Sequence, residues 1–236
     1  MGNLRRVPVR HSELFGGIAP RYDFMNRILS LGLDCVWRNR LAELVADSFS
    51  GCGEIAVLDI ACGTGDLAIA VKRASPQSSI EGIDISEGML DVARAKPEAV
   101  KAYRSMSIAD ASSIPFGDGS FDCAMCAFGF RNFPDRLAAL KEASRVLRPG
   151  GMLFVLEFFK ARSRFISALT SSWLWLAPRI FARSALEAYD HLRRSIGEMV
   201  DAGEFSRLAA QAGLKESRRQ KLAPAATLIA YCKGLP

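Results

Sequence analysis

The stretch Val57–Leu67, VLDIACGTGDL, decides how the rest of the chain is read. An apolar run ends in a glycine turn, and Asp66 then opens a helical pattern, so a strand hands directly to a helix. Gly63 and Gly65 permit backbone angles closed to other residues and let a ligand approach the main chain. Asp66 stands where a helix N-cap is expected. The dinucleotide fingerprint G-x-G-x-x-G lays a pyrophosphate against the helix N-terminus. Position 68 here is alanine, a tolerated third residue, but a carboxylate at 66 repels a pyrophosphate and attracts an ammonium or sulfonium group. The turn therefore suits a cationic ligand, although G-x-G alone is equally a plain tight turn. The rest of the chain has to decide between these.

With 236 residues, half of them hydrophobic and 24% charged, the chain is long and apolar enough to bury a real core. Its net charge of +6 fits an anionic partner, nucleic acid or lipid surface, or simply a basic exterior. Nucleic-acid binding calls for aromatic residues interleaved with Lys and Arg. The pairs Arg5-Arg6, Arg193-Arg194 and Arg218-Arg219 are dispersed and lack that interleaving, so no nucleic acid is expected. The six cysteines are scattered, which reads as free thiols in a reducing cytoplasm. Cys123 and Cys126 fall inside a strand pattern with no second pair, and neither they nor His11 and His191 are assigned a metal. Arg5, Arg6 and Arg10 have no apolar segment behind them, which argues against a signal peptide.

From 55 onward strands alternate with helices: strands over Ile55–Ile60, Ile80–Ile85, Tyr103–Ala109, Phe121–Phe128 and Met152–Phe158, and helices over Asp66–Ala74, Gly88–Ala95 and Leu137–Leu147. Pro149-Gly150-Gly151 is read as the stop between the last helix and the fifth strand. Parallel strands need such crossovers. A helix over Glu204–Ala212 and strands near Leu214–Gln220 and Thr227–Cys232 complete a doubly wound, mostly parallel seven-stranded α/β sheet with an antiparallel C-terminal edge strand. Leu14–Leu44 reads as helices, with Asp34, Trp37 and Arg38 adding polar and aromatic groups that a plain core helix does not require. It is either a surface helix or a lid. The chain is thus one domain: a helical cap over 1–50, a ligand-binding core over 51–160, an apolar helical cap over 161–200, and a C-terminal helix with strands over 201–236.

Ligands of such sheets sit at the carboxyl ends of the strands, and there each strand carries polar residues. The first ends in Gly63-Thr64-Gly65-Asp66, the second in Asp84, the third in Asp110, the fourth in Arg131-Asn132, and the fifth carries Glu157. Asp84 lies roughly twenty residues past the turn, the spacing at which an acid accepts hydrogen bonds from a ribose diol, and Asp110 suits an adenine amino group. Any one of these acids is explained by helix capping; three in register favour a nucleoside. Phe165–Ala182 is strongly apolar but interrupted by Thr170, Ser171, Ser172, Pro178 and Arg179, so it does not span a membrane. It is a buried cap, a lid over an apolar substrate, or an interfacial helix.

VLDIACGTGD, Asp84, Asp110-Ala111 and LRPGGMLFVLEF together resemble class I S-adenosylmethionine-dependent methyltransferases, which have a Rossmann-like fold. Tyr22-Asp23-x-Met25-Asn26, Phe128-Gly129-x-Arg131-Asn132 and Leu156-Glu157-Phe158 are similar to the ubiquinone/menaquinone biosynthesis C-methyltransferases. The resemblance implies C-methylation of a polyprenylated quinol, demethylmenaquinol or a benzoquinol counterpart, with S-adenosylmethionine as cofactor. The protein would then be cytoplasmic, with peripheral contact to an anionic membrane surface. The resemblance places cofactor contacts on Thr64, Asp84, Asp110 and Ala111, and at Ala127, where the family has a serine and this chain has no hydroxyl; Gly63, Gly65 and Asp66 join them on the reading of the turn itself. The catalytic positions would be Arg131, Asn132 and Tyr22. Near the C-terminus, Ala225–Tyr231 departs from the family's usual strand, as does Gly197-Glu198-Met199 in the late helix.

Overall fold

A computed structural model describes residues 23–24, 26–27, 30–160, 194–195, 197–223 and 225–235. Tyr22, Trp173, Trp175 and the whole segment 161–193 lie outside the described residues. Seven strands form one sheet in the order β3-β2-β1-β4-β5-β7-β6. In sequence they are β1 (Ile55–Ile60), β2 (Ser78–Asp84), β3 (Tyr103–Ile108), β4 (Phe121–Ala127), β5 (Leu147–Glu157), β6 (Leu214–Leu222) and β7 (Ala226–Lys233). The helices are α1 (Leu33–Ser48), α2 (Asp66–Ala74), α3 (Glu87–Ala95), α4 (Pro97–Ala102), α5 (Arg136–Val146) and α6 (Ala202–Gln211). The chain enters mid-sheet at β1, winds outward through β2 and β3, then crosses back to β4 on β1's other side. The β1/β4 junction is the switch point where a crevice opens at the strand carboxyl ends.

Two apolar layers hold the helices to the sheet. On one face Trp37, Leu41 and Val45 of α1 pack with Leu67 and Val71 of α2 and Leu90 of α3. On the other, Leu140, Ala143 and Val146 of α5 meet Phe205 and Ala209 of α6. Covered on both sides, β1, β4 and β5 read as near-continuous apolar runs, as parallel strands must.

Several boundaries differ from expectation for identifiable reasons. Pro149-Gly150-Gly151 does not stop the chain before β5. Leu147 already pairs with Phe121, and after a register shift pairing resumes at Met152 opposite Cys123. Gly150 takes φ 77 inside this excursion. Helix α4 was not expected; Pro97 starts it, where a missing N–H costs nothing. The C-terminal strands are antiparallel as expected, but the later one, β7, lies inside, bonded to β5 and β6. Composition explains this: β7 is buried over Leu228–Tyr231, whereas β6 carries Lys215, Glu216, Arg218, Arg219 and Lys221, charges that suit an exposed edge. Among the described residues no helix is long and apolar enough to cross a membrane.

Candidate active site

Asp84 ties the glycine turn to the end of β2. Its Oδ2 accepts from the Gly63 N–H at 2.8 Å and its Oδ1 from the Ser86 N–H at 2.9 Å. The Ala109 N–H donates to the Asp84 carbonyl at 3.0 Å, drawing in the β3 end. There Asp110 Oδ1 accepts from both the backbone N–H and the hydroxyl of Ser112, each at 2.8 Å, and Ala111 is half-buried beside it. Gly63 has φ 56, and a Cβ built on it meets nothing within 4 Å. The backbone there lies open to a ligand, as a cofactor cradle requires.

Asp66 differs from its expected place. Gly65, at φ 87, is the N-cap of α2, and Asp66 is the first helical residue, with no capping bond. A glycine in the left-handed region closes the turn by itself, which frees the Asp66 carboxylate for other partners. Lys96 donates to Asp66 at 2.9 Å and lies 2.5 Å from Asp23, and Arg27 stands 3.5 Å from Asp66. Burial pushes the Asp66 carboxyl up, but the Lys96 hydrogen bond and the charges of Arg38, Lys96 and Arg27 outweigh it and hold the carboxyl below its ordinary value. Thr64 Oγ1 donates to Asp23 at 2.6 Å. Asp23 and Arg27 are thereby tied to the glycine turn.

At the ends of β4 and β5 the chain builds a second, drier region. Half-buried Ala127 ends β4, and Phe128 follows in the left-handed region at φ 62. Ala61, after the adjacent β1, does the same at φ 56. Non-glycine residues held there carry strain, which clusters at functional sites. Gly129 has no alternative, because a Cβ would stand 2.7 Å from Cys126 Sγ and 2.9 Å from Ala61 Cβ. The turn throws Arg131 back onto Glu157. Its guanidinium donates to Glu157 Oε1 at 2.9 Å and to the Phe128 carbonyl at 2.6 Å, and its backbone N–H donates to Glu157 Oε2 at 3.1 Å. Glu157 is fully enclosed, at 0% exposure. Asn132 does not cap α5; Asp135 does, accepting from the Ala138 N–H. Arg131 Nε and Asn132 Oδ1 are buried without a partner among the described residues. Such atoms are costly, which makes them candidates for meeting a ligand. Beside them Phe128 stacks on Phe158 at 4.8 Å between centroids, and Trp37 meets Phe158 edge-on at 5.6 Å.

Residues 5–233, nearly the entire chain, match the ubiE/COQ5 methyltransferase family. The chain belongs to that family. It is 40% identical over 234 residues to the ubiquinone/menaquinone biosynthesis C-methyltransferase of Geobacter sulfurreducens, covering 96% of this chain and 89% of that one. It is 44% identical over 188 residues to the demethylmenaquinone methyltransferase of Deinococcus radiodurans, covering 78% and 76%. Its fold is similar to a SAM-dependent methyltransferase from Aquifex aeolicus, with a TM-score of 0.59, 19% identity, and 81% and 89% of the two chains covered.

In this ubiE/COQ5 methyltransferase, Asp59 was absent from the sequence-derived site although it sits beneath the glycine turn. The Tyr103 hydroxyl donates to it at 2.7 Å. Gly82 makes that reach feasible, since a Cβ there would lie 2.8 Å from the Tyr103 ring. An acid inside the apolar run VLDI was the available signal. Lys96 left none, because it arrives 30 residues after Asp66 by way of the fold.

Burial raises the Asp59 carboxyl from an ordinary 3.8 to about 7, helped by nearby Asp84 and opposed by the Tyr103 hydrogen bond and the Arg38 charge. The unfolded chain releases this proton near 3.8 and the folded one holds it to about 7. The stability it contributes is therefore complete below the lower value, is lost as pH rises through the window, and is gone above it. Asp59→Asn is expected to remove this loss. Urea midpoints measured across that window, wild type minus variant, should fall as pH rises; a pH-independent difference contradicts the assignment.

Proposed function

We propose that this protein transfers a methyl group from S-adenosylmethionine to a ring carbon of a polyprenylated quinol, with demethylmenaquinol as the substrate. Family membership and the names of the relatives support the reaction class. The observation that carries the site assignment is the buried Arg131–Glu157 pair, with Arg131 Nε and Asn132 Oδ1 unpartnered among the described residues, beside the Phe128–Phe158 shelf. The shelf suits a flat aromatic ring, and the two polar atoms suit its oxygen.

The residues fit the cofactor. The open backbone at Gly63 receives it, Asp84 takes the ribose hydroxyls, Asp110 and Ala111 face the adenine, and Gly65 and Thr64 shape the methionine end. Ala127 contributes backbone and shape only. Asp66 gives its charge to Lys96 and Arg27, so its part is to anchor the cap that covers the cofactor rather than to hold the ammonium alone. When bound, S-adenosylmethionine supplies a sulfonium methyl open to in-line attack.

The protein's remaining task is to make a ring carbon nucleophilic and hold it in line, near 3 to 3.5 Å from the methyl. Arg131 remains protonated and is no base. It stabilises the phenolate left when the neighbouring ring hydroxyl gives its proton to water, and that charge pushes electron density into the ring. Asn132 and Tyr22 orient the hydroxyl or the water. Glu157, bonded to both the main chain and the guanidinium of Arg131, fixes its direction. After the new carbon–carbon bond forms, the ring carbon releases its hydrogen as a proton and the ring is aromatic again.

Comparing turnover of demethylmenaquinol, a demethylated ubiquinol precursor and a naphthoquinol lacking the tail tests this reading. Preference for the first is expected. Equal turnover of all three removes the substrate assignment, and no turnover removes the function.

Lys96→Met places two carboxylates, Asp23 and Asp66, against each other without their shared cation. Because these side chains are part-exposed, the expected effect is modest: about a 3- to 10-fold weaker S-adenosylmethionine affinity by titration, rescued by Lys96→Arg, with kcat nearly unchanged.

The tail needs an apolar route, and we assign it to Trp173–Phe181, with Arg162, Arg164, Arg179 and Arg183 meeting an anionic surface at about 1 kcal/mol each. Changing Trp173 and Trp175 to polar residues should lower co-sedimentation with anionic liposomes. Unchanged binding contradicts membrane contact by this segment.

A further inference from the structure

Arg38 occupies a place that packing does not explain. Leu41, Leu44 and Val45 already bury the sheet-facing side of α1. One turn before Arg38, Asp34 takes its guanidinium at 2.6 Å, and both residues are buried. Asp34 is itself fixed by the Ser30 hydroxyl at 2.9 Å. Replacing a buried ion pair by apolar residues of similar volume is often neutral or stabilising, so stability alone gives no reason to keep it.

Its neighbours give one. The Arg38 guanidinium carbon lies 5.5 Å from the Phe128 ring centroid, and that of Arg131 lies 5.8 Å from the same centroid. Two arginines, each with its own carboxylate, thus converge on one ring of the aromatic shelf. Toward the other side, the charge of Arg38 is felt at Asp59 and Asp66, which belong to the cofactor turn. Arg38 therefore stands where the glycine turn and the shelf meet, the place where methyl donor and acceptor must meet. A quinol differs from a simple phenol by a second oxygen across the ring, and Arg131 serves only one of the two.

We propose that Arg38, held by Asp34, is the contact for the second ring oxygen of the acceptor and makes the enzyme specific for a diol over a monohydroxy ring. This rests on the quinol reading above and adds a residue and a selectivity to it. Arg131 drives the chemistry at the oxygen beside the methylated carbon; Arg38 sets the ring's register by holding the opposite one. Lysine, a point charge without the planar fork, substitutes poorly in that role.

The test crosses enzyme variants with substrates. Wild type, Arg38→Met, Arg38→Lys and the paired Arg38→Met/Asp34→Leu are assayed with a prenylated 1,4-naphthalenediol and with the matching 1-naphthol, which lacks the distal hydroxyl. The paired variant leaves no unpartnered buried carboxylate and so keeps the test open if Arg38→Met alone does not fold. Wild type is expected to favour the diol by roughly 10- to 100-fold in kcat/KM, the worth of one hydrogen bond to a charged group. Both methionine variants should lose most of that ratio while keeping their rate on the naphthol, and Arg38→Lys should fall between. A purely structural role lowers both rates together and leaves the ratio intact. A wild-type ratio in the variants, or a wild type without preference, overturns the assignment of Arg38 while leaving the quinol reading in place. Wild type inactive on both overturns the quinol reading itself.

Discussion

Arg131→Ala is expected to lower kcat by about 10²- to 10³-fold, the size of effect seen when one charge-stabilising group is removed from a reaction centre. The same substitution does a second thing. It leaves Glu157, fully enclosed, without its counter-ion. Removing one partner of a buried pair costs about 3–5 kcal/mol, enough to unfold a marginal domain. Loss of activity in Arg131→Ala alone is therefore ambiguous, and the informative variant is Arg131→Met with Glu157→Gln. The amide oxygen still accepts from one of the two backbone N–H groups, those of Arg131 and Phe158, that the separate oxygens of Glu157 now serve. With no buried charge left unpaired, this double variant should melt above Arg131→Ala, bind S-adenosylmethionine with unchanged affinity in calorimetric titration, and turn over at least about 10²-fold more slowly. Near-normal turnover in a folded double variant removes Arg131 from the chemistry.

Asp84→Ala should have the largest effect on the cofactor side. Two ribose hydroxyls donating to a carboxylate are hydrogen bonds to a charged group, about 1.5–3 kcal/mol each. Losing them weakens binding by roughly 10²-fold or more. The substitution also strips the Gly63 and Ser86 N–H groups of their acceptor, so the glycine turn loosens. Asp84→Asn separates the two effects, because the amide oxygen still serves one N–H and the charge is gone. Titration with S-adenosylmethionine should rank wild type above Asp84→Asn above Asp84→Ala, with Arg131 variants at wild-type affinity. Affinity within about twofold of wild type in Asp84→Ala contradicts a ribose contact.

What is legible in the sequence is local in the chain. The strand–turn–helix at Val57–Leu67, the span of α2 and the place of Asp84 are set by residues within a few turns of each other, and the structure has them so. Arg131, Asn132 and Glu157 stood out as polar groups at strand ends, and the fold brings Arg131 and Glu157 together. What escaped depends on partners far apart in sequence. The pairing of Asp66 waits on Lys96, which reaches it only because α3 ends beside the glycine turn. The off-by-one N-cap follows from Gly65 adopting φ 87, a backbone choice that sequence spacing does not reveal. The inner position of β7 is a contest between two C-terminal strands, decided by which of them carries the charges. Asp34, Trp37 and Arg38 were conspicuous in the sequence, but nothing in α1 itself says that Phe128 lies beneath them.

On the proposed function, a methyl group moves to carbon, on a quinol ring, under the control of Arg131. Incubating the protein with S-adenosylmethionine labelled in its methyl group and with demethylmenaquinol, then locating the label by NMR, tests it most directly. The expected label is bound to ring carbon, formed by the wild type and lost in the Arg131→Met/Glu157→Gln variant. A label on oxygen as a methyl ether, or equal labelling by that variant, would contradict it.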